Sequence, residues 1–196
     1  AIGLVESASN YLAVARIEWK ANATSFGGYA LADVVLANGE VKNDVTIASV
    51  NGNAANATGS QNGNFYTQGV PTSGSVSIYW TNNSAYYNHI MAYSVNADGS
   101  YNLMNATHYT NAATKSDKII DLGGDADVGT AYYNNSTATI GDRINNVVAT
   151  DNTVFLYVND NGYSYTVYTG KNNAPSITAA KMCVKFDSYG YAELVV

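Results

Sequence analysis

"TVFLYVNDNGYSYTVYTG", Thr153 to Gly170, decides the fold. Two runs rich in β-branched and aromatic residues flank an Asn-Gly pair. That pair is the preferred centre of a two-residue type I′ turn, because both central residues need positive φ. With Asn161 and Gly162 at the tip, Val158 faces Tyr165, Leu156 faces Val167 and Val154 faces Thr169. Side chains alternate between faces with period two, so placing the turn also divides the hairpin into two faces. Val154, Leu156, Val158, Tyr165 and Val167 make an apolar face that reads as core. Phe155, Tyr157, Ser164, Thr166 and Tyr168 make a second face, aromatic bodies with polar tips, expected to be offered outward.

The same device recurs along the chain. In "YALADVVLANGEVKNDVTIASV", a tip at Asn38-Gly39 sets Leu36 against Val41, Ala32 against Val45 and Ala30 against Ile47. In "MAYSVNADGSYNLM", a three-residue loop with Gly99 in the left-handed region pairs Val95 with Tyr101 and Tyr93 with Leu103. The closing "KMCVKFDSYGYAELVV" alternates Met182, Val184 and Phe186 against Lys181, Cys183 and Lys185, then turns over Asp187 to Gly190. "SASNYLAVARIEWKA" reads as a short helix or a strand, and the β-rich context favours a strand over Tyr11 to Trp19. Asn51 to Gly74 is a long polar insertion, and Thr107 to Ile119 a connecting stretch. Each half begins polar and ends in a hairpin. The expected fold is all-β: two small β-sandwich or partly open β-barrel units, residues 1–113 and 114–196.

Composition narrows the function classes. Charged residues are 12%, tyrosines number 17 against 4 phenylalanines, and there are only 2 prolines, a mixture suited to strands and turns. A net charge of −6 without a basic stripe excludes a phosphate-binding, nucleic-acid surface. Cys183 is the only cysteine, so no internal disulfide forms. No apolar run reaches membrane-spanning length, and "AIGLVESASNYLAV" has no basic signal-type start. With the apolar close "YAELVV", this predicts a segment of a longer protein.

Candidate chemistry is sparse. His89 and His108 lack zinc-ligand spacing, and no G-x-S-x-G elbow marks a serine nucleophile. Glutamates are rare, only Glu6, Glu18, Glu40 and Glu193, and Glu40 beside a hairpin tip and Glu193 in an alternating strand sit where solvated acids sit, which argues against a paired-carboxylate hydrolase. "DLGGDAD", Asp121 to Asp127, is the ion candidate, since Asp125 and Asp127 on a Gly-bearing loop offer oxygens that suit Ca²⁺. It lacks the EF-hand order, and an Asp-rich turn is the simpler reading. Trp19 and Trp80 with Tyr86, Tyr87, Tyr132 and Tyr133 present either a sugar-stacking platform or ordinary core. Cys183 between Lys181 and Lys185 has no base beside it in sequence and reads as a small strand residue. The sequons at Asn22, Asn56, Asn82, Asn105, Asn134 and Asn135 are about as many as this composition produces by chance.

Asn146 to Val196 resembles the β modules that accompany S-layer homology domains in surface proteins of Gram-positive, Clostridia-like bacteria. The likeness lies in Ala149 to Phe155, in "YTVYTGKNNAPS" from Tyr165 to Ser176, and in the valine-ended closing hairpin. "VNADGSYNLMNA", Val95 to Ala106, is similar to the strand-turn-strand closing a preceding module. The wall-binding S-layer homology repeats themselves are not in this sequence. The resemblance implies an extracellular, cell-surface β module of an S-layer array or stalk, with neighbouring copies or modules as partners and no catalytic residues to carry over. The expectation is therefore a non-catalytic structural protein without a cofactor, Ca²⁺ being the one ion considered. The alternative is a carbohydrate-binding adhesion module that stacks cell-surface glycan on its Trp and Tyr rings.

Overall fold

The computed structural model describes residues 10–21, 28–50, 53–54, 76–78, 90–110, 117–124, 126–158, 164–179 and 181–196. Every regular element among them is a strand. The first sheet holds β1 (Tyr11–Ala21), β2 (Gly28–Leu36), β3 (Val41–Val50), β4 (Asn53–Ala54), β5 (Val76–Ile78), β6 (Ile90–Val95) and β7 (Tyr101–Asn105). The second sheet begins with β8 (His108–Tyr109), β9 (Ile119–Gly123), β10 (Ala131–Asn134) and β11 (Thr139–Gly141). It continues with β12 (Asn146–Val158), β13 (Tyr165–Thr169), β14 (Ile177–Ala179), β15 (Lys181–Phe186) and β16 (Ala192–Val195). The change of sheet falls between Asn105 and His108.

In the first sheet the order β2-β1-β6-β7-β3 closes on itself, because β3 pairs back onto β2. The result is a five-strand barrel. The second sheet repeats this plan without closing. Its β9-β15-β16-β12-β11 follows the same order and senses as β1-β6-β7-β3-β2: two antiparallel steps, one parallel step, then one antiparallel. Closure fails because β8 pairs with the edge of β9 that corresponds to the β2 side of β1. The long β12 changes neighbours partway along. Between Ala149 and Val154 its register with β16 shifts, and the buried Thr153 hydroxyl holds the irregularity. That hydroxyl accepts the Thr150 N–H at 2.7 Å and donates to the Ala192 carbonyl at 2.6 Å.

Three hairpins turn through one loop geometry. In each, the first residue donates to the carbonyl of the fifth: Leu36 to Glu40, Asn96 to Ser100, Asp187 to Tyr191. The fourth is a glycine in the left-handed region, Gly39 at φ 86, Gly99 at φ 85 and Gly190 at φ 85, where a Cβ is disfavoured. The Tyr93–Leu103 and Val95–Tyr101 pairs form as expected, as do Val158–Tyr165, Leu156–Val167 and Val154–Thr169. The tip residues 159–163 of that last hairpin lie outside the described residues.

One register differs near its turn. Val41 faces Val35, not Leu36, because the Asn38-Gly39 loop has three residues rather than two. Farther along, Asn43 and Asp44 stand together opposite Asp33, a bulge that restores Ala32–Val45 and Ala30–Ile47. The polar insertion from Asn51 to Gly74 lies outside the described residues except for β4, which pairs with the end of β3.

Packing forms three apolar layers. Leu12, Val14, Ala30, Ala32, Val34, Ile47, Met91, Tyr101 and Leu103 fill the barrel. Ile120, Tyr133, Ile140, Phe155, Met182, Val184 and Phe186 are among those filling the second unit. Between the units lies a third layer, Ala13, Ala15, Val35 and Ile90 from the barrel against Ile119, Val154, Leu156, Cys183 and Leu194. Both faces of β1, β12 and β15 are therefore buried at these positions, which is why "LAVA" and "VFL" read as unbroken apolar runs. The expectation that Phe155, Tyr157 and Tyr168 are offered outward is corrected. Phe155 is fully buried, 4.6 Å from Tyr133 between ring centroids, and Tyr157 and Tyr168 pack against the same core.

Candidate functional site

One convergence of ionisable groups straddles the two units. Asp33 of β2 is flanked by two bulges, one at Ala15 in β1 and one at Asn43–Asp44 in β3. Each bulge re-aims a neighbouring side chain. The Asp33 carboxylate accepts the Asp44 N–H at 3.0 Å and lies 3.3 Å from Arg16 Nε. Arg16 Nη2 also reaches Asp44 at 3.3 Å. From the other unit, the Tyr165 hydroxyl of β13 lies 3.0 Å from Asp33 Oδ2 and 3.2 Å from Asn43 Oδ1. It has one proton for two acceptors, and the carboxylate is the stronger. Burial first, then the Asp33 hydrogen bond and charge, push the Tyr165 phenol up to about 12. Asp33 itself is buried.

This cluster binds one part of the protein to another. Its carboxylates are committed to Arg16, to a backbone N–H and to a phenol held neutral, an arrangement suited to positioning rather than proton transfer. Against it stand six sizeable aliphatic side chains of the middle layer. Burying each contributes about 1.5–3 kcal/mol, whereas a single neutral hydrogen bond nets about 1 kcal/mol. The apolar layer dominates the adhesion.

Other ionisable groups are also tied into the fold. His108 is largely buried on β8, with Nδ1 2.7 Å from Asp121 Oδ1. Its Nε2 is buried without a hydrogen-bond partner. Lys185 is buried, donates to the Phe186 carbonyl at 2.6 Å, lies 3.4 Å from Glu193, and stands 4.9 Å from the centre of the Tyr11 ring. Asp142 is buried and collects N–H groups of Gly123, Ile144 and Asn145. Burial opposes its ionisation, but those hydrogen bonds outweigh it and hold the carboxyl below its ordinary value.

In the Asp121 to Asp127 loop, Asp121 faces His108, Asp127 is exposed and Asp125 lies outside the described residues. No three His, Cys, Asp or Glu side chains among the described residues gather where a cation would sit. Tyr133 leaves the sugar platform: it is buried and its hydroxyl donates to the Lys171 carbonyl. Tyr132 is half-buried; Trp80, Tyr86, Tyr87 and His89 are outside the described residues, as is the Trp19 side chain. Cys183 is fully buried, and burial followed by the Asp121 charge pushes its thiol up, away from the thiolate. Glu40 is exposed and pairs with Lys42, its neighbour beyond the turn. Of the overlapping sequons, Asn134 is exposed, while the Asn135 amide is spent on the carbonyls of Lys171, Asn172 and Ala174.

The cluster around Asp33 was missed by sequence reasoning. Its signal was one of the chain's two arginines inside the apolar run "YLAVARIEW". Set beside known proteins, the chain matches no family model, no curated protein and no solved structure.

Proposed function

We propose that this chain is a non-catalytic structural module of a bacterial surface layer, extracellular, that sets spacing between neighbouring copies or modules. The observation that carries this reading is the joining of two units with one strand plan through a buried apolar layer, a construction suited to a stiff spacer. The buried ionisable groups among the described residues support it, since Asp33, Asp142 and Lys185 are each engaged with partners within the fold. The likeness of Asn146 to Val196 to S-layer-associated β modules supplies the setting.

Sedimentation and electron microscopy of the isolated chain, over rising concentration with and without Ca²⁺, test the proposal. Ordered, concentration-dependent assemblies are the expected result. A particle that stays strictly monomeric under both conditions removes the array role.

A further inference from the structure

We propose that the Asp33 cluster fixes the angle between the two units, while the apolar layer, with the Lys185–Tyr11 ring contact beside it, suffices to keep them attached. Apolar burial is non-directional. The barrel's contribution to that layer includes the small, smooth Ala13 and Ala15, which resist sliding weakly. The polar cluster is directional, since its hydrogen bonds tolerate only a few tenths of an ångström. It is also built asymmetrically. Arg16, itself paired with the Asp44 carboxylate, and the Asp44 N–H, all from the barrel, hold the Asp33 carboxylate in place. The second unit adds a single plug, the Tyr165 hydroxyl. The barrel thus supplies a preformed socket whose acceptor stays put when the plug leaves. A tilt of β13 that preserves the apolar contact still breaks the 3.0 Å bond. Tyr165 and Asp33 are therefore positioning residues for the arrangement of the units. This geometry belongs to the chain itself, whether or not the chain serves in an array.

The test uses the full chain carrying nitroxide labels at Ala97→Cys in the barrel and Ala126→Cys in the second unit, both exposed positions. The native Cys183 is fully buried and takes no label. Pulsed electron-spin distances are compared for the parent, Tyr165→Phe, Asp33→Asn, and the control Tyr157→Phe, whose hydroxyl bonds Pro175 within the second unit. The expected result is a single narrow distribution in the parent and control. In Tyr165→Phe and Asp33→Asn it broadens about two-fold, with one cooperative unfolding transition retained. Unchanged width in Tyr165→Phe overturns the proposal. So does separation of the units in that variant, which would show that the apolar layer does not hold them unaided. If Asp33→Asn fails to fold, Tyr165→Phe decides alone, because it removes only a hydroxyl.

Discussion

Asp142 shows how a polar residue serves this fold. Its Oδ1 receives the N–H groups of Ile144 at 3.0 Å and Asn145 at 2.8 Å, and its Oδ2 receives that of Gly123 at 3.1 Å. One carboxylate thus pins the β11–β12 turn to the end of β9. Asp142→Ala leaves these N–H groups unpaired, and urea denaturation is expected to show a loss of about 1–3 kcal/mol. The sign of the pH effect follows from the hydrogen bonds. The carboxyl titrates lower in the folded chain than its ordinary 3.8, so its contribution is complete above that value and is lost as pH falls through the folded one. Asp142→Asn should flatten the acid limb of the stability curve; an unaltered limb would assign acid sensitivity elsewhere. None of this was legible from "TIGDRINN", where the aspartate looks like any turn residue. Its partner Gly123 is remote in sequence and arrives only through the sheet.

At the scale of elements, the hairpin loops offer a matched comparison. Gly39 and Gly99 have the same loop bonds and nearly the same φ, 86 and 85. A Cβ on Gly99 meets nothing within 4 Å, whereas one on Gly39 would stand 2.7 Å from Thr169 Oγ1 of the other unit. Both alanine variants should lose about 1–2 kcal/mol for the left-handed backbone. Gly39→Ala should lose more, and Thr169→Ala should recover part of the excess in a double-mutant cycle. Equal losses at the two glycines would mean that the loop does not press on the second unit. Strand positions and most registers were legible because turn chemistry and period-two alternation are local. The slip at Leu36 was not, since the bulge at Asn43–Asp44 that corrects it is fastened by Asp33 on the neighbouring strand and by the second unit above.

For the molecule as a whole, the shared layer predicts one folding unit. Leu156 belongs to the second sheet yet packs in the layer with Ala13, Ala15 and Val35 of the barrel. Leu156→Ala should cost about 2–5 kcal/mol. Both tryptophans, Trp19 and Trp80, lie in the first half, so their fluorescence reports on that half alone. Its midpoint should fall together with the far-ultraviolet dichroism midpoint. A fluorescence transition that stays put while the dichroism shifts would show independent units. The amino-acid order by itself determined the all-β class, the hairpins and which side chains share a face of a strand, because propensity, turn residues and alternation act over a few neighbours. Closure of the barrel, burial of Phe155, the packing of Tyr157 and Tyr168 against the same core, and the meeting of Asp33 with Tyr165 were decided only in three dimensions. They depend on what covers a face, and in a chain where both faces of several strands are buried, alternation says which residues lie together but not against what they pack.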